Sequence, residues 1–256
     1  MSLAFNLVKE ALRLFKNHFA AYIAIIASFF LVILLPFLLF LFCMQFFDLS
    51  LPTCMNHTVN LLSWENQIIL TTPEAIAVNL IMLFFLLLCM TVFLGVFLFL
   101  EHLDKTDHVR PALIFSPLIN KKWTVIKFSI LFILFMFLMM LIFHYAIFNI
   151  SYSETYHSII AALSIGFLYL MTLTLSLTAA VVALRRSSVI SAWCLSFVSI
   201  IKHPLTWIVI AFIFSVFYIL ILYSGLWFLS FLINPVFLAL IYAYHKRILQ
   251  YEKNSV

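Results

Sequence analysis

Charged residues are so sparse along this chain that five long apolar runs dominate its pattern. The runs extend over 17–47, 75–100, 128–153, 155–184 and 203–245. About 20 apolar residues in a helix cross a hydrocarbon core of about 30 Å, so each of the first four runs predicts one transmembrane helix. The fifth would be about 64 Å long as one helix at about 1.5 Å per residue. Because Ser224-Gly225 near its middle is a turn signal, this run predicts two helices.

The sequence thus predicts an all-α integral membrane protein with six transmembrane helices. The expected spans are 19–47, 76–100, 124–149, 157–183, 205–223 and 226–244, within a single transmembrane domain over 1–256. The composition agrees, because 9% charged residues are too few to cover a water-facing surface. Only three residues are glycine, so close helix contacts of the Gly-x-x-x-Gly kind are largely unavailable.

The distribution of basic residues predicts the orientation. If the N-terminus is inside, all 14 Lys and Arg residues fall on inner segments. The outer segments are then 48–75, 150–156 and the turn at 224–225, which contain acidic residues and no basic ones. Since basic residues favour the cytoplasmic side, we expect both termini in the cytoplasm. A five-helix count would place the C-terminal basic cluster outside.

The cysteines and the N-terminus give weaker signals. Cys43, near the outer end of the first span, and Cys54, outside, could form a bridge in an oxidising compartment, but buried thiols are the simpler expectation. Lys9, Glu10 and Arg13 interrupt the apolar start, and no small-residue cleavage site follows. We therefore expect the first helix to be retained.

Residues 3–18 predict a helix of a different kind, which lies in the inner membrane interface. Its apolar positions recur with a period of 3.6; with the following Phe19 they are Ala4, Leu7, Val8, Ala11, Leu12, Phe15 and Phe19. The opposite face holds Asn6, Lys9, Glu10, Arg13, Lys16 and Asn17. We expect the basic residues of this face, Lys9, Arg13 and Lys16, to contact anionic lipid headgroups.

Segment 185–203 repeats this pattern more weakly, with Val189, Trp193, Phe197 and Ile201 every four residues. Its headgroup candidates are Arg185, Arg186 and Lys202. The tryptophans near predicted membrane boundaries are expected to act as interfacial anchors, and these are Trp123, Trp193 and Trp207. Ordinary anchoring of loops is the alternative to a lipid platform for both segments.

The densest group of chemically active side chains follows the second span and comprises Glu101, His102, Asp104 and His108. On a helix, Asp104 and His108 would share a face, and carboxylates with imidazoles suit a divalent metal. Solvated helix-end charge is the simpler interpretation, because neighbouring Lys105 would repel a cation. We expect no metal and no cofactor.

The predicted spans contain few polar groups. His144 is the only titratable side chain well inside a predicted span, and we expect it to form a hydrogen bond to a neighbouring helix. The fourth span carries a hydroxyl stripe, for which helix packing is the expectation and a substrate path the alternative. The stripe consists of Thr172, Thr174, Ser176 and Thr178.

The second half of the chain resembles the YciC-like family of bacterial inner-membrane proteins, and the membrane domain attached to some glycerophosphodiester phosphodiesterases. The residues that carry the resemblance are Ala183-Leu-Arg-Arg-Ser-Ser-Val-Ile-Ser-Ala-Trp193, Ile201-Lys-His-Pro-Leu205, Asn234-Pro235 and Tyr242-Ala-Tyr244. The resemblance implies a six-helix protein of the bacterial cytoplasmic membrane whose activity is not established. The catalytic phosphodiesterase domain is not present in this sequence, so that activity is not implied.

The sequence therefore favours a non-enzymatic membrane protein in envelope organisation or as a partner subunit. Its expected partners are anionic lipids at the inner face and a membrane protein, and not nucleic acid. One alternative is a permease-type subunit or carrier for a lipid or small apolar solute. The other is a membrane-embedded enzyme acting on lipid headgroups through the group at 101–108.

Overall fold

The computed structural model is all-helical throughout the residues it describes, which confirms the predicted fold class at that level. These residues are 2–46, 73–149, 170, 172–185, 187–210, 212–213, 216 and 229–249. The helices are α1 (Ser2–Asn17), α2 (Phe19–Phe46), α3 (Pro73–Thr106), α4 (Ala112–Asn120), α5 (Lys122–Asn149), α6 (Thr172–Arg185), α7 (Val189–Lys202), α8 (Pro204–Ile210) and α9 (Leu229–Tyr244). A π-helical turn, His245–Leu249, continues α9.

Two described helices, Phe19–Phe42 within α2 and Leu80–Thr106 within α3, are long and apolar enough to cross a membrane. A third is counted if α7 and α8, which meet at an angle of 91°, form one broken span. About half of the fourth and fifth predicted spans lies outside the described residues, as do 226–228 of the sixth span, Cys54 and the turn at 224–225. The side chains of Cys43 and His144 are also outside the described part. The count of six stays a prediction.

Helix α3 is the centre of the bundle and α2 lies at its edge. In the most apolar window of α3, 56% of the residues are buried, against 22% for α2. The residues of α2 that remain exposed are large and apolar, among them Phe30, Leu34, Phe37 and Phe42. Apolar surface of this extent is typical of contact with lipid or another membrane protein.

Helix α4 packs back against α3 through a single glycine. A methyl group built on Gly95 would overlap the backbone carbonyl of Ile114, so the two backbones approach as closely as only glycine allows. Ile114 is itself fully buried. The sequence predicted that close backbone contacts between helices are largely unavailable. The contact of α4 with Gly95 is an exception, because a single glycine is enough to admit one short helix.

Three of the four hydroxyls of the stripe on α6 lie in the packed interior, whereas Thr172 is exposed. Thr174, Ser176 and Thr178 are buried, and each hydroxyl donates to the carbonyl four residues earlier on its own helix.

The three tryptophans predicted as anchors differ in exposure, and Trp193 is half-buried. Trp123 is exposed, as an anchor would be, whereas Trp207 is buried with its ring 4.5 Å from that of Tyr244. The prediction that Trp207 is an interfacial anchor is wrong, since the bend between α7 and α8 turns its ring inward onto α9.

Substitution of Gly95 by Ala should destabilise the protein by about 1–3 kcal/mol, the usual range for forcing an extra methyl into a packed core. In an open helix the same change stabilises by about 1 kcal/mol, so the sign is diagnostic. Thermal unfolding in detergent, followed by tryptophan fluorescence, measures the difference. Leu83→Ala on the exposed side of α3 is the control. A Gly95→Ala protein more stable than the wild type would contradict the close approach.

Candidate functional site

Helix α1 divides its side chains among three faces, each following helical spacings of three and four residues. The buried face packs on the bundle and consists of Ala4, Leu7, Ala11 and Phe15. The mixed face is exposed, alternates apolar with basic residues, and consists of Phe5, Lys9, Leu12 and Lys16. The polar face consists of Asn6, Glu10, Arg13 and Asn17. The helix predicted over 3–18 is thus confirmed as an amphipathic element, while its position in a membrane interface stays a prediction.

The mixed face borders an open groove of about 860 Å³ between α1, the start of α2 and α9. Three aromatic rings form one wall. The Phe15 and Tyr22 rings meet edge to face with centroids 5.0 Å apart, and the Phe19 ring stacks on Tyr22 at 6.2 Å. Val236 of α9 contributes to the lining. Phe5 and Phe19 are 73% and 68% exposed, so the groove continues into an open apolar surface.

Three cations line the same groove. Lys9, Arg13 and Lys16 are exposed, and within the described part of the chain none of them forms an ion pair or a side-chain hydrogen bond. Their aliphatic stems can lie along the apolar lining while the charged ends reach water or headgroups. The structure therefore brings together the three α1 residues predicted to contact lipid headgroups.

The polar face of α1 borders a second cleft of about 580 Å³, where six side chains form three pairs. Lys9 and Arg13 line this cleft as well. The Arg247 Nε donates to Glu10 Oε2 at 2.6 Å, and the Lys246 Nζ donates to Asp104 Oδ2 at 2.6 Å. The His18 Nε2 lies 2.8 Å from Asp107 Oδ1. We call these six residues the clasp, because they join α1, the end of α3 and the π turn after α9; they are Glu10, His18, Asp104, Asp107, Lys246 and Arg247.

Asp104 makes two of the contacts around the clasp. Its Oδ2 also accepts a hydrogen bond from the phenol of Tyr242 at 3.0 Å, and the Tyr242 side chain is buried on α9. The Asp104 side chain is 24% exposed and that of Lys246 41%. The phenol bond is thus partly buried, whereas the bond to the Lys246 ammonium is exposed and accessible to salt.

The structure overturns the proposed enzyme geometry at 101–108. Helix α3 continues beyond the predicted end at 100 but stops at Thr106, where Asp107 adopts a φ of 60° and its N–H bonds the Leu103 carbonyl. His108 therefore does not share a helical face with Asp104. Glu101 instead pairs with Lys105 at 2.6 Å, one turn along the helix. Among the described residues no three His, Cys, Asp or Glu side chains form a group that could hold a metal ion.

The basic residues of segment 185–203 do not join the α1 cations. Lys202 is exposed in the last turn of α7. Arg185 is half-buried beside His245, and Arg186 lies outside the described residues. The face of α7 agrees with the expected pattern only in part, because Val189 is buried but Phe197 and Ile201 are exposed. Ser199 is buried instead, and its Oγ lies 2.7 Å from the Tyr244 phenol.

His245 follows the last predicted span and is buried, 2% exposed, beside Arg185. Within the described residues neither ring nitrogen has a hydrogen-bond partner. Burial, and then the Arg185 charge, lower the pKa of His245 to about 4. The imidazole is therefore neutral at pH 7.

Sequence reasoning identified the α1 cations but missed the clasp and the groove. The pairs of the clasp join residues as far apart as Glu10 and Arg247, and no local spacing indicates them. The groove had a signal, because the apolar arc of α1 also includes Phe5 and is wider than the face that packs on the bundle. When the apolar arc of an amphipathic helix is wider than the face that packs on the bundle, the remaining apolar residues are available for another contact.

Asp104 should couple more strongly to Tyr242 than to Lys246. A partly buried hydrogen bond to a charged group contributes about 1.5–3 kcal/mol, whereas an exposed ion pair contributes about 0.2–1 kcal/mol and is screened by salt. Double-mutant cycles pairing Asp104→Asn with Tyr242→Phe or with Lys246→Met measure both couplings by thermal or denaturant unfolding in detergent. A larger coupling to Lys246 at high salt would contradict this picture of the clasp.

His245 should make the folded state sensitive to acid. Its folded pKa lies below the unfolded value of about 6.5, so the stability is fully present above about pH 6.5. As the pH falls from about 6.5 to about 4, only the unfolded state gains the proton, and about 3 kcal/mol is lost. The His245→Gln variant should lack this loss of stability between about pH 6.5 and pH 4. Unfolding measured at each pH, for the variant and the wild type, tests this. His108→Gln, at an exposed position, is the control and should keep the wild-type slope.

Comparison of the chain with protein-family models, curated proteins and solved structures found no match. The functional assignment therefore rests on the geometry of the chain's own residues, chiefly the three faces of α1.

Proposed function

We propose that this chain is a non-enzymatic, multi-pass protein of the bacterial cytoplasmic membrane that binds anionic lipid headgroups at its inner face. In this role it would serve envelope organisation or act as a subunit beside a membrane-protein partner. The observation that carries the proposal is the set of three cations on α1, Lys9, Arg13 and Lys16, which lie beside exposed apolar side chains and have no ion-pair partner in the described residues.

The clasp supports the proposed topology of six spans with both termini inside. It joins residues near the N-terminus, at the end of α3 and after α9, so these three segments lie at one end of the bundle. An even number of membrane crossings is therefore expected between each neighbouring pair. Two spans before Asp107 and four between Asp107 and Lys246 satisfy this requirement, and all three segments are on the side that the basic residues favour.

The chemistry of the inner face supports a binding role over the enzyme alternative. Glu101, Asp104 and Asp107 are each engaged in an ion pair. A carboxylate held by a lysine at 2.6 Å, as Glu101 and Asp104 are, is poorly placed to take up a proton or a divalent metal. The carrier alternative receives no support from α6, whose buried hydroxyls bond their own helix.

Replacing Lys9, Arg13 and Lys16 together by Gln should reduce the enrichment of anionic over zwitterionic lipid around the protein. Each cation near an anionic surface contributes about 1 kcal/mol, so the upper limit is about a hundredfold if the three contributions add. The full chain is reconstituted in nanodiscs of mixed phosphatidylglycerol and phosphatidylcholine, and the lipids that copurify are measured by mass spectrometry.

The matched control removes the same charge from the same side of the protein. Arg110, Lys122 and Lys127 are exposed, and their combined replacement by Gln should change the enrichment much less. If both triple variants reduce the enrichment equally, the net charge of the inner face explains it and no special role of α1 is needed. Unchanged enrichment in the α1 variant would contradict the proposed platform.

A further inference from the structure

The groove beside α1 has the composition of a site for a lipid and not only of a charged surface. Its lining is apolar, with the aromatic wall of Phe15, Phe19 and Tyr22 on one side, and its cations lie on α1. We propose that this groove binds one anionic phospholipid molecule, with an acyl chain along the apolar lining and the phosphate beside Lys9, Arg13 and Lys16. This proposal rests on the proposed function and adds to it a site with a defined occupant.

The dimensions of the groove suit a single lipid tail. Its volume of about 860 Å³ is within the range of about 300–1,000 Å³ found for ligand pockets. The groove is open, as a site filled laterally from a bilayer must be. Phe19 lines the groove and is also the first of the exposed apolar residues of α2, which include Ile23 and Phe30. An acyl chain that leaves the groove at Phe19 therefore has apolar surface beside it.

The arrangement of charge selects an anionic headgroup. Lys9 and Lys16 are seven residues apart, about 10 Å along the helix axis, and Arg13 lies between them. Long side chains on one side of a helix can converge on a phosphate placed between them, and Arg can bind it with two hydrogen bonds. Inorganic phosphate alone would leave the apolar lining unfilled, and an acidic peptide would leave it exposed to lipid. A phospholipid satisfies the lining and the cations together.

A specific site differs from a diffuse charged surface in what disturbs it. Diffuse attraction depends on the number of cations and is screened by salt. A lipid held in a groove depends also on the shape and polarity of the lining, and those can be changed without altering any charge. Val236 and Leu12 are suited to this test, because both line the groove and neither is charged. Leu12 is half-exposed, so its replacement leaves the packed core intact.

The experiment counts lipids that remain on the full chain. The protein is stripped of lipid in detergent, titrated with phosphatidylglycerol or with phosphatidylcholine of the same chains, and examined by native mass spectrometry. Val236→Trp fills the groove and Leu12→Gln makes its lining polar. The matched controls place the same changes on exposed apolar positions outside the groove, and these are Val198→Trp and Leu118→Gln.

We expect the wild type to retain one phosphatidylglycerol at concentrations where phosphatidylcholine does not bind. The apparent affinity should fall about tenfold or more in both groove variants and stay within about twofold in both controls, because a tenfold loss is the scale of one removed apolar contact of a few methylene groups. Inorganic phosphate in large excess should not displace the bound lipid.

The outcomes separate this inference from the proposed function. If both groove variants keep wild-type affinity while the triple Gln variant loses the lipid, the headgroup platform stands and the groove is not the site. Complete displacement by inorganic phosphate, or a groove variant that loses a copurifying protein and keeps its lipid, would likewise overturn the inference. If the wild type has no preference for phosphatidylglycerol over phosphatidylcholine in either assay, both proposals fail. Should Val236→Trp not fold, Leu12→Gln decides alone.

Discussion

The fold depends on contacts between charged side chains, because its long apolar helices leave few positions where such side chains can be placed. In the described part of the chain, six of them meet at one end of the bundle and contact each other. The clasp joins the first helix, the end of the central helix α3 and the turn after the last helix through pairs 2.6–2.8 Å long. Bulky apolar side chains pack the rest of the bundle, but such contacts have little directional preference. The clasp adds direction, because an ion pair is made only between particular residues.

The turn after α9 shows how this direction is achieved. Its π-helical winding follows Tyr244, which is buried against α7 and α8 through Ser199 and Trp207. After Tyr244, the His245 side chain is buried. Lys246 donates to Asp104 and Arg247 donates to Glu10. Short π-helical segments are rare and are found often at functional positions. Here the segment carries both basic residues that hold the C-terminal end to α3 and α1.

Local patterns in the sequence predicted the helices, while contacts between distant segments escaped it. The period of α1 and the apolar runs of α2 and α3 each depend on neighbouring residues, and the corresponding helices are present. The predicted span ends at 100, where charged residues begin, but the helix continues to Thr106. Charged residues indicate where a membrane span ends, and a helix can continue beyond that point. Glu101 and Lys105, four residues apart, favour one more helical turn. The burial of Ser199 beside Tyr244 and the contact at Gly95 depend on distant residues, which no local pattern indicates.

The clasp also determines which cations of α1 have no ion pair among the described residues. Glu10 and Arg13 are three residues apart on one helix, a spacing at which a carboxylate and a guanidinium readily pair. Glu10 is bonded instead to Arg247, which arrives from the other end of the chain at 2.6 Å. Arg13, which lines both the polar cleft and the apolar groove, therefore keeps its charge unneutralised toward the groove, as does Lys9. Arg247 thus has two effects. It completes the clasp, and by binding Glu10 it leaves Arg13 without that carboxylate as a partner, so that Arg13 is available to the proposed lipid site.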